Sequence, residues 1–477
     1  MTFEWLSKPG SVAINSIEID SRQVREGSLF IAVKGHRVDG HDFIDSAIKN
    51  GAAAILVESV PEILPKADVL IIRVENSRKI TGVIAAAFYD HPSSRLTLIG
   101  VTGTNGKTSV ATMLHQLLGL EGHTAGLIST IENKIGDQVL PSSLTTPDPI
   151  SLQRLLAEMV HNDCSSAVME VSSHALDQHR TSGCDFKLAI FTNITHDHLD
   201  YHGTFDAYLG AKKSFFDGLG RESSALINLD DRNGKILIQN TRATVHTYAL
   251  KKPADFKARI LDSSVSGLQL DLEGWEVHCR LIGRFNAYNL LAVYSAARLL
   301  GVEQTVALQH LSQVQAPRGR FQTIRGTGKE VTGVVDYAHT PDALKNVLQT
   351  LQQIKPKDSR IITLVGCGGD RDRRKRPKMA QIAEAYSDLV ILTSDNPRSE
   401  NPESILRDML EGLDQQKRKK VISIADRREA MKTSYQLAHG KDVILVAGKG
   451  HEPYQEINGN RIPFDDAREI KQIMDET

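Results

Sequence analysis

The chain has few cysteines, and their number and spacing disfavour a disulfide framework and a structural zinc site. Its 477 residues include only Cys164, Cys184, Cys279 and Cys367, and no two of them form a C-x-x-C pair. A disulfide framework needs many cysteines, and a structural zinc site needs closely spaced ones. We therefore expect buried free thiols and a reducing compartment, and we place the protein in the cytoplasm.

The chain also lacks an excess of charge and any long apolar run. Lys and Arg total 57 against 58 for Asp and Glu, so no general basic field predicts a nucleic-acid partner. No apolar run approaches the roughly 18 residues that a membrane span requires, and residues 1–5 do not resemble a secretory signal. We expect no nucleic-acid binding and no membrane insertion.

The length predicts two to four domains, because one hydrophobic core rarely organises this many residues. Turn-rich breaks at residues 91–94 and 316–320 divide the chain into segments 1–92, 93–316 and 317–477. The first segment contains short strand-like runs and is predicted to be a small α/β domain, and in the other two segments such runs alternate with helical patterns. The predicted strands are residues 28–33, 53–57, 69–74, 96–101, 167–171, 188–192, 225–228, 331–336, 361–367, 389–395 and 443–447. This alternation predicts an α/β fold, with mainly parallel sheets covered by helices.

A glycine-rich segment at residues 100–108 reads Gly-Val-Thr-Gly-Thr-Asn-Gly-Lys-Thr. It follows an apolar run and precedes a helical pattern, the context in which main-chain N–H groups and a helix N-terminus bind phosphate. Lys107 could reach the outer phosphates and Thr108 could bind Mg²⁺, so the segment predicts ATP binding. The strict pattern has Gly at the position of Val101, which leaves an ordinary glycine-rich turn as the alternative.

Other polar residues fall at predicted strand ends, where ligands of parallel sheets collect. Glu170 could bind Mg²⁺ beside the phosphate loop or could cap a neighbouring helix. His198, in a segment rich in His and Asp, could bind a ligand or be an interior histidine. Lys212, considered alone, is expected to be a solvated surface lysine. The basic run at residues 371–378 predicts a loop that faces an anion.

Four motifs together resemble one family. They are Gly-Thr-Asn-Gly-Lys-Thr at 103–108, Glu-Val-Ser-Ser-His at 170–174, Asp-Tyr-Ala-His-Thr-Pro at 336–341 and Asp-Asn-Pro-Arg at 395–398. In this order the chain resembles the Mur ligases, ATP-dependent enzymes that form amide bonds in peptidoglycan precursor synthesis. The resemblance extends from the Asp-Ser-Arg segment at 20–22 to Glu452, and it accounts for Val101.

The resemblance implies three domains: a small N-terminal α/β domain for the UDP end of the substrate, a central ATPase domain and a C-terminal Rossmann-like domain for the amino acid. Within the family, the chain is most similar to the members that add meso-2,6-diaminopimelate to UDP-N-acetylmuramoyl-L-alanyl-D-glutamate. The cofactors implied are ATP, Mg²⁺ and a CO₂-derived carbamate on Lys212. We expect a monomer.

The resemblance also assigns roles to individual residues. The ATP-binding set is Gly103, Thr104, Asn105, Gly106, Lys107, Thr108, Ser109, Asn286, Asn289 and Arg320. The magnesium-site set is Thr108, Glu170, His198 and Lys212, and Asp336 reaches the ATP from the C-terminal side. The set that contacts the UDP-muramoyl dipeptide is Ser21, His36, Arg37, Val38, Thr145, Thr146, Ser172, Gln178 and Arg180. The diaminopimelate set is Arg371, Asp395, Asn396, Pro397, Arg398, Gly448 and Glu452.

The implied reaction transfers the γ-phosphoryl group of ATP to the D-glutamyl carboxylate. The amine then attacks the acyl phosphate and displaces phosphate. The amine must be deprotonated, and either His339 or a nearby carboxylate could accept its proton. Arg398 suits the second carboxylate of diaminopimelate, which lysine lacks, and Glu452 suits the ammonium group at that end.

Other interpretations remain open from the sequence. A lysine-adding Mur ligase and a folylpolyglutamate synthetase share the phosphate loop, although the 395–398 and 20–22 segments disfavour folates. A nucleotide-dependent binding or switch protein would use the loop without forming a bond. A scaffolding role has the least support, because the unusual polar residues collect at strand ends.

Overall fold

The protein is described by a computed structural model covering residues 4–5, 12–35, 38–59 and 69–476. The chain forms two compact units, Met1–Thr247 and Tyr248–Thr477. Strand β13 (Thr244–Ala249) contains the boundary between them.

The first unit begins with a five-stranded sheet in the order β1-β5-β4-β3-β2. Its strands are β1 (Glu4–Trp5), β2 (Ser16–Glu18), β3 (Ser28–Ile31), β4 (Ala52–Val57) and β5 (Leu70–Arg73), and its helices are α1 (Ile44–Lys49) and α2 (Ser77–Phe88). Short 3-10 helices cover Ser21–Gln23, Gly40–Phe43 and Pro92–Arg95. All pairs are parallel except β1 with β5.

A second sheet in the same unit carries the phosphate loop. Its strands are β6 (Thr97–Thr102), β7 (Ala125–Ile128), β8 (Glu132–Ile135), β9 (Gln138–Pro141), β10 (Ser166–Glu170), β11 (Leu188–Phe191) and β12 (Ser224–Asn228). Its helices are α3 (Lys107–Leu120), α4 (Pro149–His161), α5 (Ser173–Asp177), α6 (Leu199–His202), α7 (Phe205–Asp217) and α8 (Gly234–Leu237). The order β12-β11-β6-β10-β7 is parallel, and β8 and β9 continue it as antiparallel strands.

The register of this sheet sets the position of the site. Strand β10 pairs with β6 from Ser166 opposite Thr97 to Glu170 opposite Val101. Because both strands are parallel and in step, Glu170 leaves the sheet beside the start of the phosphate loop. The central strands are buried along their length, since helices cover both faces.

The second unit combines an antiparallel ribbon with a mainly parallel sheet. The ribbon strands are β14 (Phe256–Ser264), β15 (Gly267–Leu272) and β16 (Trp275–Cys279). The sheet has the order β17-β18-β22-β19-β20-β21, with β17 (Gln322–Arg325), β18 (Thr332–Asp336), β19 (Ile361–Val365), β20 (Leu389–Leu392), β21 (Val421–Ser423) and β22 (Val443–Ala447). A hairpin follows, formed by β23 (Tyr454–Ile457) and β24 (Asn460–Pro463).

Helices cover both faces of the second unit's sheet. They are α11 (Pro341–Ile354), α12 (Lys375–Tyr386), α13 (Pro402–Leu410), α14 (Arg427–Leu437) and α15 (Asp466–Glu476), with a 3-10 turn at Lys417–Lys420. Two further helices, α9 (Arg284–Leu299) and α10 (Gln304–Leu311), pack against the β14–β16 ribbon. Two apolar clusters lie on the two sides of this sheet. The predicted α/β class with mainly parallel sheets is confirmed.

The antiparallel β14–β16 ribbon is not among the strands that the sequence pattern predicts. Only part of each of its strands is buried, so none has the continuous apolar run that marked the parallel strands. The cysteine prediction is confirmed, because all four thiols are free, three are buried and Cys184 is half-buried. Within the described ranges, no helix is both long and apolar enough to cross a bilayer.

Candidate functional site

The loop between β6 and α3 has a conformation that requires glycine at two positions. Gly103 has φ +152°, and a Cβ there would lie 1.9 Å from Thr192 Oγ1. Gly106 has φ +87°, a left-handed value that side chains rarely adopt, and it immediately precedes α3. The loop therefore turns sharply into a helix N-terminus, the geometry that binds phosphate.

The end of the neighbouring strand β11 holds this loop in place. Asn193 accepts two hydrogen bonds from the loop. Thr104 N donates to its main-chain oxygen at 2.7 Å, and Asn105 N donates to its side-chain oxygen at 3.0 Å. Thr192 Oγ1 donates to Asn105 O at 2.7 Å. The motif alone did not select Thr192 or Asn193, although both lie in a polar segment at a predicted strand end.

Two lysines converge on the main-chain carbonyls of the loop. Lys107 Nζ donates to Gly103 O at 3.0 Å and Thr104 O at 2.9 Å, and Lys212 Nζ donates to Gly103 O at 2.9 Å. Burial lowers the pKa of Lys212 well below its usual value, and the nearby positive charge of Lys107 lowers it further.

The expectation from residue type alone, that Lys212 is a solvated surface lysine, is wrong. Its side chain is only 1% exposed. On α7 it shares one face with Tyr208, Leu209, Phe215 and Phe216, all of which are buried. The spacing of these positions is helical, so Lys212 lies on the helix face that packs into the core.

Glu170 is held by two neutral donors at the end of β10. Its Oε2 accepts from Thr108 Oγ1 at 2.9 Å and its Oε1 accepts from Thr130 N at 2.7 Å. Thr130 lies outside any helix, so this contact is not a helix cap. The carboxylate and the hydroxyl are the hard oxygen ligands that Mg²⁺ prefers, so these two residues fit the expected magnesium site.

His198 lies at the start of α6, with a left-handed φ of +52°. Its Nε2 is 3.6 Å from Asp197 Oδ2, its ring packs edge-on against His174 at 4.8 Å, and its side chain is 42% exposed. It is therefore not an interior histidine. In the described part of the chain, no three His, Cys, Asp or Glu side chains are close enough to hold a metal together. The structure thus does not place His198 in a ligand cluster with Glu170.

Five residues of the expected dipeptide site lie together around the end of β10. Thr146 Oγ1 donates to Glu170 O at 2.8 Å and accepts from Ser172 N at 3.1 Å. The Arg180 guanidinium donates one hydrogen bond to Thr146 O at 2.8 Å and another to Gln178 Oε1 at 2.6 Å. Thr145 joins the group through a 3.0 Å hydrogen bond to Thr130.

The remaining residues of that set lie in the N-terminal part of the unit. Ser21 is buried at the start of a 3-10 helix, and Val38 is exposed. His36 and Arg37 lie outside the described residues.

In the second unit, the expected nucleotide-side residues form two groups. On α9, Asn286 Nδ2 donates to Ile282 O and Asn289 Nδ2 donates to Asn286 Oδ1, both at 2.9 Å. At the end of β18, burial raises the pKa of Asp336 to about 6, although the Arg320 guanidinium opposes the shift. The Asp336 carboxylate also accepts from Phe321 N at 2.7 Å.

Arg320 and His339 both approach Tyr337. The Arg320 guanidinium lies 5.0 Å from the ring centre, and its Nε is buried with no hydrogen-bond partner among the described residues. The ring of the exposed His339 is 4.7 Å from that of Tyr337, and its Nδ1 bonds to Tyr337 O at 2.9 Å.

Asn396 and Glu452 are joined in a partly buried hydrogen-bonded network. Asn396 Nδ2 donates to Glu452 Oε2 at 2.6 Å. Lys449, which the sequence analysis did not select, donates to Asn396 Oδ1 at 3.0 Å and to Glu452 Oε2 at 3.2 Å. Lys449 lies between two glycines directly after an apolar strand, and this context was the signal available in the sequence.

Arg398 lies beside this network in a left-handed conformation, with φ +52°. Its Nη1 donates to Gly369 O at 2.7 Å, and its main-chain N donates to Glu456 O at 3.0 Å. Gly448 has φ +115°, and a Cβ there would lie 2.5 Å from Asp395 Oδ2. The strand ends of β20 and β22 therefore approach one another closely at this pocket.

The basic run at 371–378 is only partly a loop. Arg371 is exposed in the segment before α12. Just before it in the chain, Gly369 lies so close to Pro397 O that a Cβ at Gly369 would clash with this oxygen. The expectation that the whole run faces an anion is wrong for Arg376. That guanidinium is buried on α12 and pairs with Glu400 and Asp408, both at 2.8 Å. Arg376 is therefore paired with carboxylates of its own chain.

Comparison with known proteins gives matches along the chain. The family descriptions "Mur ligase family, catalytic domain", "Mur ligase middle domain" and "Mur ligase, glutamate ligase domain" match residues 13–89, 101–297 and 319–450. Two similar relatives are the UDP-N-acetylmuramoyl-L-alanyl-D-glutamate–2,6-diaminopimelate ligases of Cytophaga hutchinsonii (53% identity, 97% of this chain and 95% of the relative) and Phocaeicola vulgatus (50%, 97% and 96%). A solved structure of a ligase with the same name is 35% identical, with a TM-score of 0.72 over 97% of this chain and 94% of that one.

Proposed function

The chain belongs to the Mur ligase family, and from this membership we infer that it is an ATP-dependent ligase. It adds meso-2,6-diaminopimelate to the D-glutamyl carboxylate of UDP-N-acetylmuramoyl-L-alanyl-D-glutamate, a step of peptidoglycan precursor synthesis. The observation that carries this assignment is the 53% identity to a diaminopimelate ligase over nearly the whole chain.

The reaction must bring two anions together, because the substrate carboxylate attacks a triphosphate. In our proposal the loop at residues 103–109 binds the phosphates through its main-chain N–H groups, and Lys107 neutralises charge on the transferring group. From the family resemblance we also assign ATP binding to Asn286, Asn289, Arg320 and Asp336. The glycine-dependent turn at Gly103 and Gly106 supports the phosphate assignment.

Thr108 and Glu170 would hold Mg²⁺, and His198 would complete the set. The ion, when bound, offsets the negative charge of the phosphates. The contacts of Glu170 support this assignment, because Thr108 and Thr130 hold both oxygens of its carboxylate.

Lys212 would carry the carbamate. Formation of a carbamate requires an uncharged amine, which attacks CO₂ through its lone pair and releases a proton. Burial and the adjacent Lys107 favour the uncharged form of Lys212, because both lower its pKa. The carbamate would then be an anion beside a loop to which the lysine now donates a hydrogen bond.

The dipeptide end of the substrate would lie against Thr145, Thr146, Ser172, Gln178 and Arg180, which one hydrogen-bonded group connects to the end of β10. In that arrangement Arg180 would supply positive charge for a substrate carboxylate. Ser21, His36, Arg37 and Val38 would contact the UDP portion.

The second substrate would enter the pocket of Asp395, Asn396, Pro397, Arg398, Gly448, Glu452 and Arg371. A guanidinium can bind a carboxylate through two parallel hydrogen bonds, so Arg398 would select diaminopimelate over lysine. His339, exposed at the end of β18, or a carboxylate of the pocket would accept the proton of the attacking amine.

The proposed domain division follows the sequence breaks, with segments 1–92, 93–316 and 317–477 for the UDP substrate, ATP and the amino acid. We further propose that the protein is a cytoplasmic monomer.

An amino-acid panel tests the function. Phosphate release is followed with ATP, Mg²⁺ and the UDP-muramoyl dipeptide, while meso-diaminopimelate, L-lysine and other amino acids are supplied one at a time. We expect release only when both substrates are present, with meso-diaminopimelate strongly preferred. A preference for lysine would overturn the specificity, and release that needs no amino acid would favour a nucleotide switch.

A further inference from the structure

The ammonium group of Lys449 is fully buried, and the proposed reaction gives it no role. Its side chain is 0% exposed. A buried ammonium is costly unless each N–H finds an acceptor. Lys449 Nζ has three acceptors: Asn396 Oδ1 at 3.0 Å, Glu452 Oε2 at 3.2 Å and the main-chain oxygen of Tyr454. All three N–H groups are therefore used, and the ammonium has one defined position.

Lys449 fixes the direction in which the Asn396 amide points. Asn396 Oδ1 accepts from Lys449 Nζ and from Glu456 N at 2.9 Å, while Nδ2 donates to Glu452 Oε2 at 2.6 Å. A flipped amide would place its NH₂ group against two donors and its oxygen against a carboxylate. The observed orientation is the only one of the two that satisfies every neighbour.

Lys449 also fixes the Glu452 carboxylate. Oε2 accepts from both Lys449 and Asn396, so one edge of the carboxylate is occupied by a cation and an amide. The Glu452 side chain is nevertheless 22% exposed, so the group reaches the surface of the pocket. An anion held in this way can meet a substrate ammonium without first reorienting.

We propose that Lys449 is a positioning residue for the incoming amino acid, which it serves by holding Asn396 and Glu452 in the orientation that receives the substrate ammonium. The inference rests on the proposed function, which places Asn396 and Glu452 in the amino-acid pocket. Lys449 itself is too enclosed to touch the substrate.

Lys449→Met tests the proposal, because methionine keeps much of the side-chain volume and removes the charge. We expect the KM for meso-diaminopimelate to rise at least about tenfold, the size of one lost charge-assisted hydrogen bond, while the KM for ATP changes less than about twofold. The matched control is Lys432→Met. Lys432 is also paired with a glutamate three residues away, Glu429 at 2.9 Å, but its side chain is 47% exposed on α14, and we expect no change.

A double-mutant cycle separates positioning from simple stabilisation. If Lys449 acts through Glu452, Lys449→Met should change the KM for diaminopimelate less than about threefold when Glu452→Gln is already present. The double variant also leaves no unpaired buried charge, so it keeps the comparison measurable if Lys449→Met alone folds poorly. An undiminished effect in the double variant, or failure of the double variant to fold, would show a structural role and overturn the proposal.

Chemical rescue supplies a second readout. Lys449→Ala should regain affinity for diaminopimelate when n-propylammonium is added, because this ion replaces the missing methylenes and ammonium. No recovery in a folded Lys449→Ala variant would count against positioning. Wild-type enzyme in the same assay distinguishes failure of the proposed function from failure of the inference about Lys449. If the wild type shows no diaminopimelate-dependent phosphate release, the proposed function is wrong. Normal wild-type turnover with an unchanged KM in Lys449→Met defeats only the inference about Lys449.

Discussion

The two candidate sites hold their lysines in different ways. At the phosphate loop, Lys107 and Lys212 donate to main-chain carbonyls, and the loop's shape depends on glycine. At the amino-acid pocket, Lys449 donates to the side chains of Asn396 and Glu452. The first arrangement depends little on side-chain identity around the lysines, whereas the second depends on it strongly.

This difference matches the chemistry of the two ligands. Phosphate is the same group in every nucleotide, so main-chain N–H groups and a helix N-terminus suffice to bind it. An amino acid differs from its competitors only in its side chain, so discrimination requires charged groups in fixed positions. We therefore expect substitutions at the loop to reduce the rate with every substrate, and substitutions at the pocket to change which amino acid is used.

The largest expected effect is at Lys107. Lys107→Ala should reduce kcat by at least about 100-fold with every amino acid, because the transferring phosphoryl group loses the cation that Lys107 supplies in the proposed site. Steady-state phosphate release measures this, and Lys187→Ala, which removes a surface lysine paired with Asp185, serves as the control. A loss of activity with diaminopimelate alone would contradict the expected difference between the loop and the pocket.

Lys212→Ala should cause a comparable loss for a different reason, because it removes the proposed carbamate. Short carboxylates should restore part of the activity, and ¹³CO₂ should give a carbamate signal in the wild type that this variant lacks. Lys213→Ala, one residue along α7 and paired with Asp217 at 2.7 Å, should behave as the wild type. Activity independent of bicarbonate, with no carbamate signal, would remove the carbamate from the mechanism.

Arg398→Ala should raise the KM for meso-diaminopimelate about 10- to 100-fold and leave binding of ATP and the dipeptide substrate intact. The preference over lysine should shrink, since only diaminopimelate carries the second carboxylate. Arg428→Ala, which removes an exposed guanidinium paired with Glu469, controls for the loss of charge. Unchanged kinetics with diaminopimelate would exclude Arg398 from the pocket.

Gly448→Ala should have a smaller effect that is still specific to the pocket. Alanine at this position would have a left-handed φ, and its Cβ would lie 2.5 Å from Asp395 Oδ2, so Asp395 must move. Gly440→Ala is the control, because Gly440 also has a left-handed φ, of +50°, but a Cβ there would have no heavy atom within 4 Å. Both should lower the Tm by a few degrees, but only Gly448→Ala should raise the KM for diaminopimelate. An equal KM for diaminopimelate in the two variants would show that Gly448 does not shape the pocket.

The smallest expected effect is a pH dependence at His451. Burial lowers its pKa to about 4, and Arg320 contributes further. Below about pH 6.5 the unfolded chain binds a proton at this histidine that the folded protein does not, so stability is lost as pH falls from about 6.5 to about 4. His451→Gln should reduce this loss by about 1 kcal/mol at about pH 5.5. Thermal unfolding at that pH and at about pH 7.5 measures it, and equal losses in both proteins would contradict it.

The sequence by itself determined the fold class and the family, and it predicted most of the candidate site. Continuous apolar runs predicted the parallel strands because such strands are buried on both faces, and glycine spacing predicted the phosphate loop because few other residues adopt its φ values. The motifs at 103–108, 170–174, 336–341 and 395–398 were sufficient to indicate the family, since each places reactive groups at a strand end.

Only the tertiary structure decided the environment of single charged groups. Residue type alone predicts a surface position for Lys212 and an anion-facing loop for Arg376. Lys212 is instead buried over the phosphate loop, and Arg376 is paired with two carboxylates. Lys449 carried no motif assignment, yet it orients Asn396 and Glu452. Burial, pKa and hydrogen-bond direction depend on atoms supplied by distant segments, and residue type alone does not specify those neighbours.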